Sequence, residues 1–150
     1  MAHFFLGVFI NFGSLLFYHL QHSESQLVNH ISRINCDTTW GVLLKNQTFI
    51  GDIGITSTVD GKIGEMAWYF DPSFWNNGYA TEAGEAVIGY VFHRLSFIRL
   101  CAQIDDKNDA SKRLAERLRF KLVAVLPEAN LGGKIADIEY YTLPVFAKLN

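Results

Sequence analysis

The stretch FDPSFWNNGYATEAGEAV, residues 70–87, marks the point where a strand pattern gives way to a helical one. Residues 65–70 form a short apolar run typical of a strand, and apolar residues recur at helical spacing from 80 to about 94. The first backbone N–H groups of a helix have no partners within the helix, and the helix dipole adds positive potential there. The stretch therefore predicts an anion-binding turn at residues 76–81.

The residues of this turn favour close contact between the backbone and a ligand. Gly78 permits a positive φ and has no side chain to block an approach. Asn76 and Asn77 also tolerate left-handed conformations, and Ala80 keeps the first turn of the helix slim. The stretch lacks the Gly-Lys-Ser/Thr of a P-loop and the Gly-x-Gly-x-x-Gly of a dinucleotide-binding loop. Taken alone, it is equally consistent with an ordinary turn before a helix.

The composition is that of one globular domain of 150 residues, of which 49% are apolar and 19% are charged. The net charge of -2 provides no basic surface, which argues against a nucleic-acid partner. Cys36 and Cys101 are too few for a disulfide framework and have no metal-ligand spacing. We expect both to be buried apolar residues in a reducing compartment, which predicts a cytoplasmic protein.

Residues 1–21 are strongly apolar, but they do not resemble a secretory signal. No Lys or Arg precedes the apolar run, and Asn11 and His19 interrupt it, so it barely reaches the ~20 residues that span a bilayer. These features favour a buried core segment over a membrane segment, and they do not distinguish helix from strand. His19 and His22 lie one helical turn apart without a third ligand, so we predict no metal site.

The other patterns predict a single mixed α/β (α+β) domain that spans residues 1–150. Three strands are expected to form an antiparallel meander, and a helix then crosses to a strand that runs parallel to the third. In chain order, the predicted elements are a helix at 22–34, strands at 38–46, 47–58 and 65–70, a helix at 80–94, a strand at 99–104, a helix at 108–120, and strands at 121–129 and 135–144.

The segment NDASKRLAERLRF, residues 108–120, carries a second helix start. Asn108 is a good N-cap, and Ser111 places a hydroxyl in the first turn. If the parallel strands 65–70 and 99–104 splay apart, both helix starts come to the same edge of the sheet. Open α/β sheets bind ligands at that edge, outside the carboxyl ends of their strands.

Together, FWNNGYATEA and, about 28 residues later, NDASKRLAERLRF resemble motifs of the GNAT N-acetyltransferase superfamily. They resemble most the RimJ/RimL-like branch of ribosomal-protein N-terminal acetyltransferases, which reads W-G-x-G-Y-A-T-E-A and then N-x-x-S-x-x-x-x-x-x-x-G-F. The resemblance covers roughly residues 22–148. Asn76 and Arg119 stand where the branch has Gly, and residues 1–21 stand where family members have their first strand.

The resemblance implies a GNAT-like mixed sheet, mostly antiparallel, with a central parallel strand pair splayed at the cofactor site and helices on both faces. It also implies transfer of an acetyl group from acetyl-CoA to a primary amine, which attacks the thioester directly. We expect the acceptor to be a small molecule or a peptide N-terminus, and we expect no metal, nucleic acid or membrane to take part. A missing first strand would expose a sheet edge, so we expect a homodimer through this edge or through the apolar N-terminal segment.

By the same resemblance, the backbone amides from 76 to 81 hold the pyrophosphate of the cofactor. Phe70 pairs its backbone with the pantetheine arm, and its N–H polarises the thioester carbonyl. Asn108 hydrogen-bonds the pantetheine, and Ser111 lies near the sulfur and protonates the leaving thiolate. The full set of cofactor-binding residues is Phe70, Trp75, Asn76, Asn77, Gly78, Tyr79, Ala80, Thr81, Asn108 and Ser111.

The reaction also needs a group that removes a proton from the acceptor, because an amine is mostly ammonium at neutral pH. Glu65, at the start of the third predicted strand, and Glu128, on the penultimate strand, are the candidate bases. Some family members carry a carboxylate where this chain has Asn130, and Glu128 shares that strand face if the strand is regular. A relay of backbone groups and water without a dedicated base is a third possibility.

Two functions of other classes also fit the sequence. One is a catalytically silent module that binds CoA, in which the altered N-terminus has lost the acceptor site. The other is an interaction protein that keeps the fold, binds no cofactor and uses its apolar N-terminus as a dimer surface.

Overall fold

A computed structural model of the chain describes residues 10–12, 15–20, 38–58, 60–131 and 133–144. The helix predicted at 22–34 lies outside these residues, as does Cys36. The chain forms two compact units, and each is described by itself below. The first unit contains the described residues up to Thr56 together with Met66–Gly89, and the second contains Ser57–Glu65 and the described residues from Tyr90 onward.

The first unit is built on strands in the order β1-β2-β3-β4-β5. These are β1 (Ile10–Phe12), β2 (Leu15–Leu20), β3 (Thr38–Leu44), β4 (Phe49–Ser57) and β5 (Ile63–Phe70). Strand β1 pairs with β2, β2 with β3 and β3 with β4, and all three pairs are antiparallel. The described part of the apolar N-terminal segment is therefore strand, a point that the sequence left open. Leu15 and Phe17 of β2 are buried, which agrees for these two residues with the prediction of a core segment.

A glycine sets the close approach of β4 to the end of β5. A Cβ added at Gly51 would collide with the Tyr69 carbonyl oxygen and would lie 2.6 Å from Cδ1 of Phe70. The Phe70 ring thus occupies the space that a side chain at position 51 would need, and it is 7% exposed. Beyond the strand, the Asp71 N–H donates to the carbonyl oxygen of Ile50 at 2.9 Å. These contacts fix the point at which the chain leaves β5.

A short 3₁₀ turn, Pro72–Phe74, follows β5, and four residues separate it from helix α1 (Tyr79–Arg94). Asp71 caps the 3₁₀ turn by accepting a hydrogen bond from the Ser73 N–H at 2.8 Å. The strand, short connection and helix predicted from residues 70–87 are confirmed, with the helix starting one residue earlier than expected.

The second unit contains strands in the order β5-β6-β8-β7 and helix α2. These elements are β6 (Arg99–Asp105), α2 (Asp109–Arg117), β7 (Lys121–Leu131) and β8 (Lys134–Pro144). The first residues of β5, Ile63 to Glu65, pair in parallel with β6, whereas β6–β8 and β8–β7 are antiparallel. The predicted fold class is confirmed: the sheet is mixed, mostly antiparallel, with one parallel pair and a helix between its two strands.

Helix α2 ends at Arg117, three residues before the predicted end, because Arg119 adopts a φ of 71°. The Phe120 N–H donates to the Ala115 carbonyl oxygen at 3.0 Å, and the Arg119 N–H donates to that of Glu116 at 2.9 Å. This pair of bonds is a Schellman motif, which usually places Gly at the left-handed position.

Strand β7 is irregular, with register shifts between Leu122 and Ala124 and between Leu126 and Ala129. Pro127 cannot donate to the strand ladder, and Glu128 has a φ of 49°. The strand is therefore not regular at Glu128, and the condition under which Glu128 would share the face of Asn130 is not met.

Candidate active site

The turn before α1 has a defined backbone shape. Asn76 and Gly78 are left-handed, with φ of 63° and 80°. The side-chain amide of Asn77 donates to the carbonyl oxygens of Phe74, at 3.2 Å, and Trp75, at 3.1 Å. A Cβ added at Gly78 would meet nothing within 4 Å, so the outer surface of the turn is open. Asn76 and Gly78, two positions that the sequence marks as tolerant of a positive φ, both adopt one.

Trp75 ties this turn to the end of β5. Its indole N–H donates to the Phe70 carbonyl oxygen at 2.8 Å, while 48% of the residue remains exposed. One edge of the indole is thus held by the backbone, and its ring contributes to the surface beside the helix start. The turn and the last residue of β5 are consequently a single hydrogen-bonded structure.

The start of α1 follows directly, and the Gly78 carbonyl oxygen accepts the N–H of Glu82 at 3.0 Å. Tyr79, Ala80 and Thr81 form the first turn and are half-buried. The helix is 16 residues long, so its dipole is fully developed at this end. Small residues, a left-handed glycine and a helix N-terminus together provide the features of an anion-binding turn.

Helix α2 in the second unit starts as predicted, with Asn108 as its N-cap. The Oδ1 atom of Asn108 accepts the Ser111 N–H at 3.1 Å. Lys112 secures the preceding loop, because its ammonium group donates to the Asp106 carbonyl oxygen at 2.7 Å. The same ammonium group lies 3.7 Å from Oε1 of Glu139, so contacts within the unit already engage this lysine.

Glu65 belongs to a polar cluster in the second unit, which we call the Glu65 cluster: Glu65, Cys101, Gln103 and Tyr140. The Gln103 Nε2 donates to Oε2 of Glu65 at 3.2 Å. Cys101 and Tyr140 share a side-chain hydrogen bond. Burial raises the pKa of the Cys101 thiol, and the bond to Cys101, with burial, raises the pKa of Tyr140 to about 12.

Glu128, the other candidate base, lies in a different setting. It is exposed at the irregularity in β7, and its N–H donates to Oδ1 of Asp137 at 3.0 Å. It lines a shallow cavity of about 230 Å³ that also contains Asp105 and Lys134. Oδ2 of Asp105 lies 2.7 Å from the Lys134 ammonium group, and this contact lowers the pKa of Asp105 to about 2.

The predicted site residues are divided between the two units. Phe70 and residues 75–81 form one continuous segment in the first unit. Glu65, Asn108, Ser111 and Glu128 lie in the second unit on β5, the α2 cap, α2 and β7. Sequence reasoning missed Gln103 and Tyr140, because only the strand register brings them beside Glu65 and Cys101.

The described residues form neither a metal centre nor a membrane-spanning helix. In the described ranges, no three His, Cys, Asp or Glu side chains are arranged to hold a metal ion. Neither helix of the described residues is both long and apolar enough to cross a membrane.

Comparison with known proteins relates the chain to acetyltransferases. Residues 16–121 match the Acetyltransferase (GNAT) domain family. An uncharacterized N-acetyltransferase, YnaD of Bacillus subtilis (strain 168), is 33% identical over 77 residues, which are 51% of this chain and 45% of YnaD. The chain spans about half the length of three curated relatives from Bacillus subtilis (strain 168), from 42% to 50%.

Solved structures of acetyltransferases share the fold. A GNAT-family acetyltransferase from Bacillus anthracis superimposes with a TM-score of 0.77 at 20% identity, covering 93% of this chain and 99% of that one. RimL, a ribosomal L7/L12 alpha-N-protein acetyltransferase in complex with coenzyme A, gives a TM-score of 0.77 at 14% identity, covering 91% and 98%. The family match extends over well over half of the sequence, so the chain belongs to the GNAT acetyltransferase family.

Proposed function

We propose that the chain is an acetyl-CoA-dependent N-acetyltransferase that acts on a primary amine. The observation that carries this proposal is the open turn at 75–78, with its left-handed Asn76 and Gly78, at the start of α1. Membership of the GNAT family supports it, as does the likeness in fold to RimL, which is known in complex with coenzyme A.

The turn fits the pyrophosphate of CoA. The open space over Gly78 admits a phosphate to the backbone, and the N-terminus of α1 adds positive potential. The amides of Asn76, Asn77, Gly78, Tyr79, Ala80 and Thr81 bind the pyrophosphate, and the Trp75 ring borders it. Phe70, whose carbonyl oxygen is held by Trp75, offers its N–H to the thioester carbonyl.

Asn108 and Ser111 bind the pantetheine end of the cofactor. The cap uses only Oδ1 of Asn108, so the side-chain NH₂ group donates to a pantetheine carbonyl. The Ser111 hydroxyl is in the first turn of α2, where it protonates the leaving sulfur.

The proposed reaction uses one base, which takes a proton from the amine, and one acid, which protonates the leaving thiolate. The amine nitrogen forms a bond to the thioester carbonyl carbon, and its proton passes to a carboxylate. The C–S bond then breaks, and the thiolate takes the Ser111 proton, which solvent restores. We assign the base to Glu65, which is half-buried and held by Gln103. Glu128, exposed at the irregularity of β7, and a water relay are the alternatives.

The two sequence motifs support an assignment to a branch of the family, and exposed apolar surface supports an oligomeric state. We place the chain in the RimJ/RimL-like branch, with a small-molecule amine or a peptide N-terminus as acceptor. The free, buried Cys101 fits a reducing, cytoplasmic setting. A homodimer would cover one of the two sheet edges, β1 or β7. The exposed apolar side chains of β7 are Leu122, Val123, Val125 and Leu126.

The test is a transfer assay with purified protein, acetyl-CoA and a panel of amines: a polyamine, an amino acid, an aminoglycoside and a peptide with a free N-terminus. We expect release of free CoA and an acetylated product by mass spectrometry with at least one amine. CoA binding without turnover across the panel would replace the proposal with a catalytically silent module. Self-association without CoA binding would instead favour an interaction protein.

A further inference from the structure

We propose that Gln103 is a positioning residue that holds the Glu65 carboxylate in the orientation needed to accept the proton of the acceptor amine. This inference rests on the proposed function and assigns a role to a residue that neither motif contains.

Strand register places the Glu65 cluster on one face of the sheet. Glu65 is the parallel partner of Cys101, and Gln103 lies two residues further along β6, on the same face. Tyr140 is the antiparallel partner of Gln103 on β8. Side chains of paired residues project to the same side, so the four groups come from three neighbouring strands.

The hydrogen bond from Gln103 leaves the carboxylate able to act. It occupies Oε2 of Glu65, and Oε1 accepts no other bond from the described residues. A carboxylate held through one oxygen loses rotational freedom while its second oxygen stays available to a substrate proton. Gln103 is neutral, so it orients Glu65 without the opposing charge of a Lys or Arg, which would reduce its basicity.

The other two members of the cluster hold a supporting role. Burial raises the pKa of the Cys101 thiol, and the hydrogen bond to Cys101, together with burial, raises the pKa of Tyr140 to about 12. Both groups are therefore protonated at neutral pH, and neither competes with Glu65 as the base.

The test is a double-mutant cycle on the full chain, with the amine acceptor found in the transfer assay. Gln103→Met keeps the side-chain length and removes the donor, and Glu65→Gln removes the base. We expect Glu65→Gln to lower kcat about 100-fold or more. Gln103→Met should lower kcat about tenfold with an unchanged KM for acetyl-CoA, because it misplaces a catalytic group. In the Glu65→Gln background, Gln103→Met should change kcat less than about twofold.

Two further variants serve as a control for the Met substitution and as a replacement if Gln103→Met does not fold. Lys121→Met, on exposed β7, controls for the introduction of Met on a strand and should leave kcat unchanged. Gln103→Leu also removes the donor at this half-buried site without adding a charge, and it should show the same non-additivity if Gln103→Met does not fold.

The outcomes separate the two proposals. Equal losses of kcat from Gln103→Met in both backgrounds, with normal wild-type turnover, would overturn the role of Gln103 alone. A loss confined to KM for acetyl-CoA would do the same. No transfer by the wild-type protein would refute the proposed function and, with it, this inference.

Discussion

Asn76 and Gly78 adopt left-handed backbone conformations two residues apart, with φ of 63° and 80°, immediately before helix α1. Asn77, between them, donates its side-chain amide to the carbonyl oxygens of Phe74 and Trp75. The backbone shape of the turn is thus held by hydrogen bonds within the turn itself. We infer that binding of an anion there needs little rearrangement, which reduces its entropic cost.

Gly78→Ala should weaken acetyl-CoA binding at least about tenfold, because a Cβ would project into the space through which the pyrophosphate approaches. Gly61 is a matched control: it lies in the turn between β4 and β5, its φ is 69°, and an added Cβ would also meet open space. Gly61→Ala should therefore cost about as much stability, roughly 1 kcal/mol, without changing affinity. Calorimetric titration of both folded variants checks this, and equal affinities would remove Gly78 from the site.

Arg119→Gly should stabilise the protein by about 1 kcal/mol, because Arg119 holds the left-handed position of the Schellman motif at a φ of 71°. Asn76→Gly should gain less, since Asn tolerates this conformation better than Arg. Arg113→Gly, at an exposed helical position of α2, is the control and should cost about 1 kcal/mol. Urea unfolding measures all three. A destabilising effect of Arg119→Gly would show that its side chain contributes more than its backbone strain costs.

Asn108 has two separable roles. Asn108→Ala should cost about 1 kcal/mol of unfolding free energy, because the cap bond to the Ser111 N–H is lost, and should also weaken CoA binding. Asn108→Asp keeps an oxygen for the cap but has no NH₂ group for the pantetheine, so stability should remain while affinity falls. Thermal unfolding and CoA titration of both Asn108 variants separate the effect on stability from the effect on affinity. If Asn108→Asp binds CoA like the wild type, the residue is only a cap.

The Asp105–Lys134 pair predicts a pH dependence. The ammonium group of Lys134 holds the pKa of Asp105 at about 2, below the usual value of ~3.9. Because the folded-state pKa is lowered, the pair contributes stability above pH ~4 and loses it as the pH falls towards 2. Lys134→Gln should raise the pKa of Asp105, although the Lys107 N–H still donates to Oδ1 at 2.9 Å. NMR titration of the carboxyl carbon tests this, and an unchanged pKa would show that Lys134 is not the cause.

The sequence predicted elements whose signals are local. The turn at 75–78 and the Asn108 cap follow from residues a few positions apart, and the structure reproduces both. The end of α2 was predicted three residues late, because hydrophobic periodicity continues through Leu118 and Phe120 although the backbone reverses at Arg119. The pattern of 1–21 had no clear period, so its strands could not be distinguished from a helix.

Features that depend on strand register could not be predicted. Gln103 and Tyr140 lie near Glu65 only because β6 pairs with β5 on one side and with β8 on the other. The setting of Glu128 depends on the register shift between Leu126 and Ala129, which no sequence period reveals. The Asp105–Lys134 contact joins residues that are distant in sequence. Each of these relations is set by pairing between strands, whereas sequence patterns report mainly which face of one element is apolar.

The measurement that tests the central claim most directly is calorimetric titration of the purified chain with acetyl-CoA, with dephospho-CoA as the comparison ligand. The turn at 75–81 predicts micromolar, one-to-one binding of acetyl-CoA. Because dephospho-CoA retains the pyrophosphate, it should also bind, and any loss of affinity would report contacts to the 3′-phosphate. Absence of binding by a folded protein would contradict the assignment of this turn as a pyrophosphate site and, with it, the proposed acetyltransferase activity.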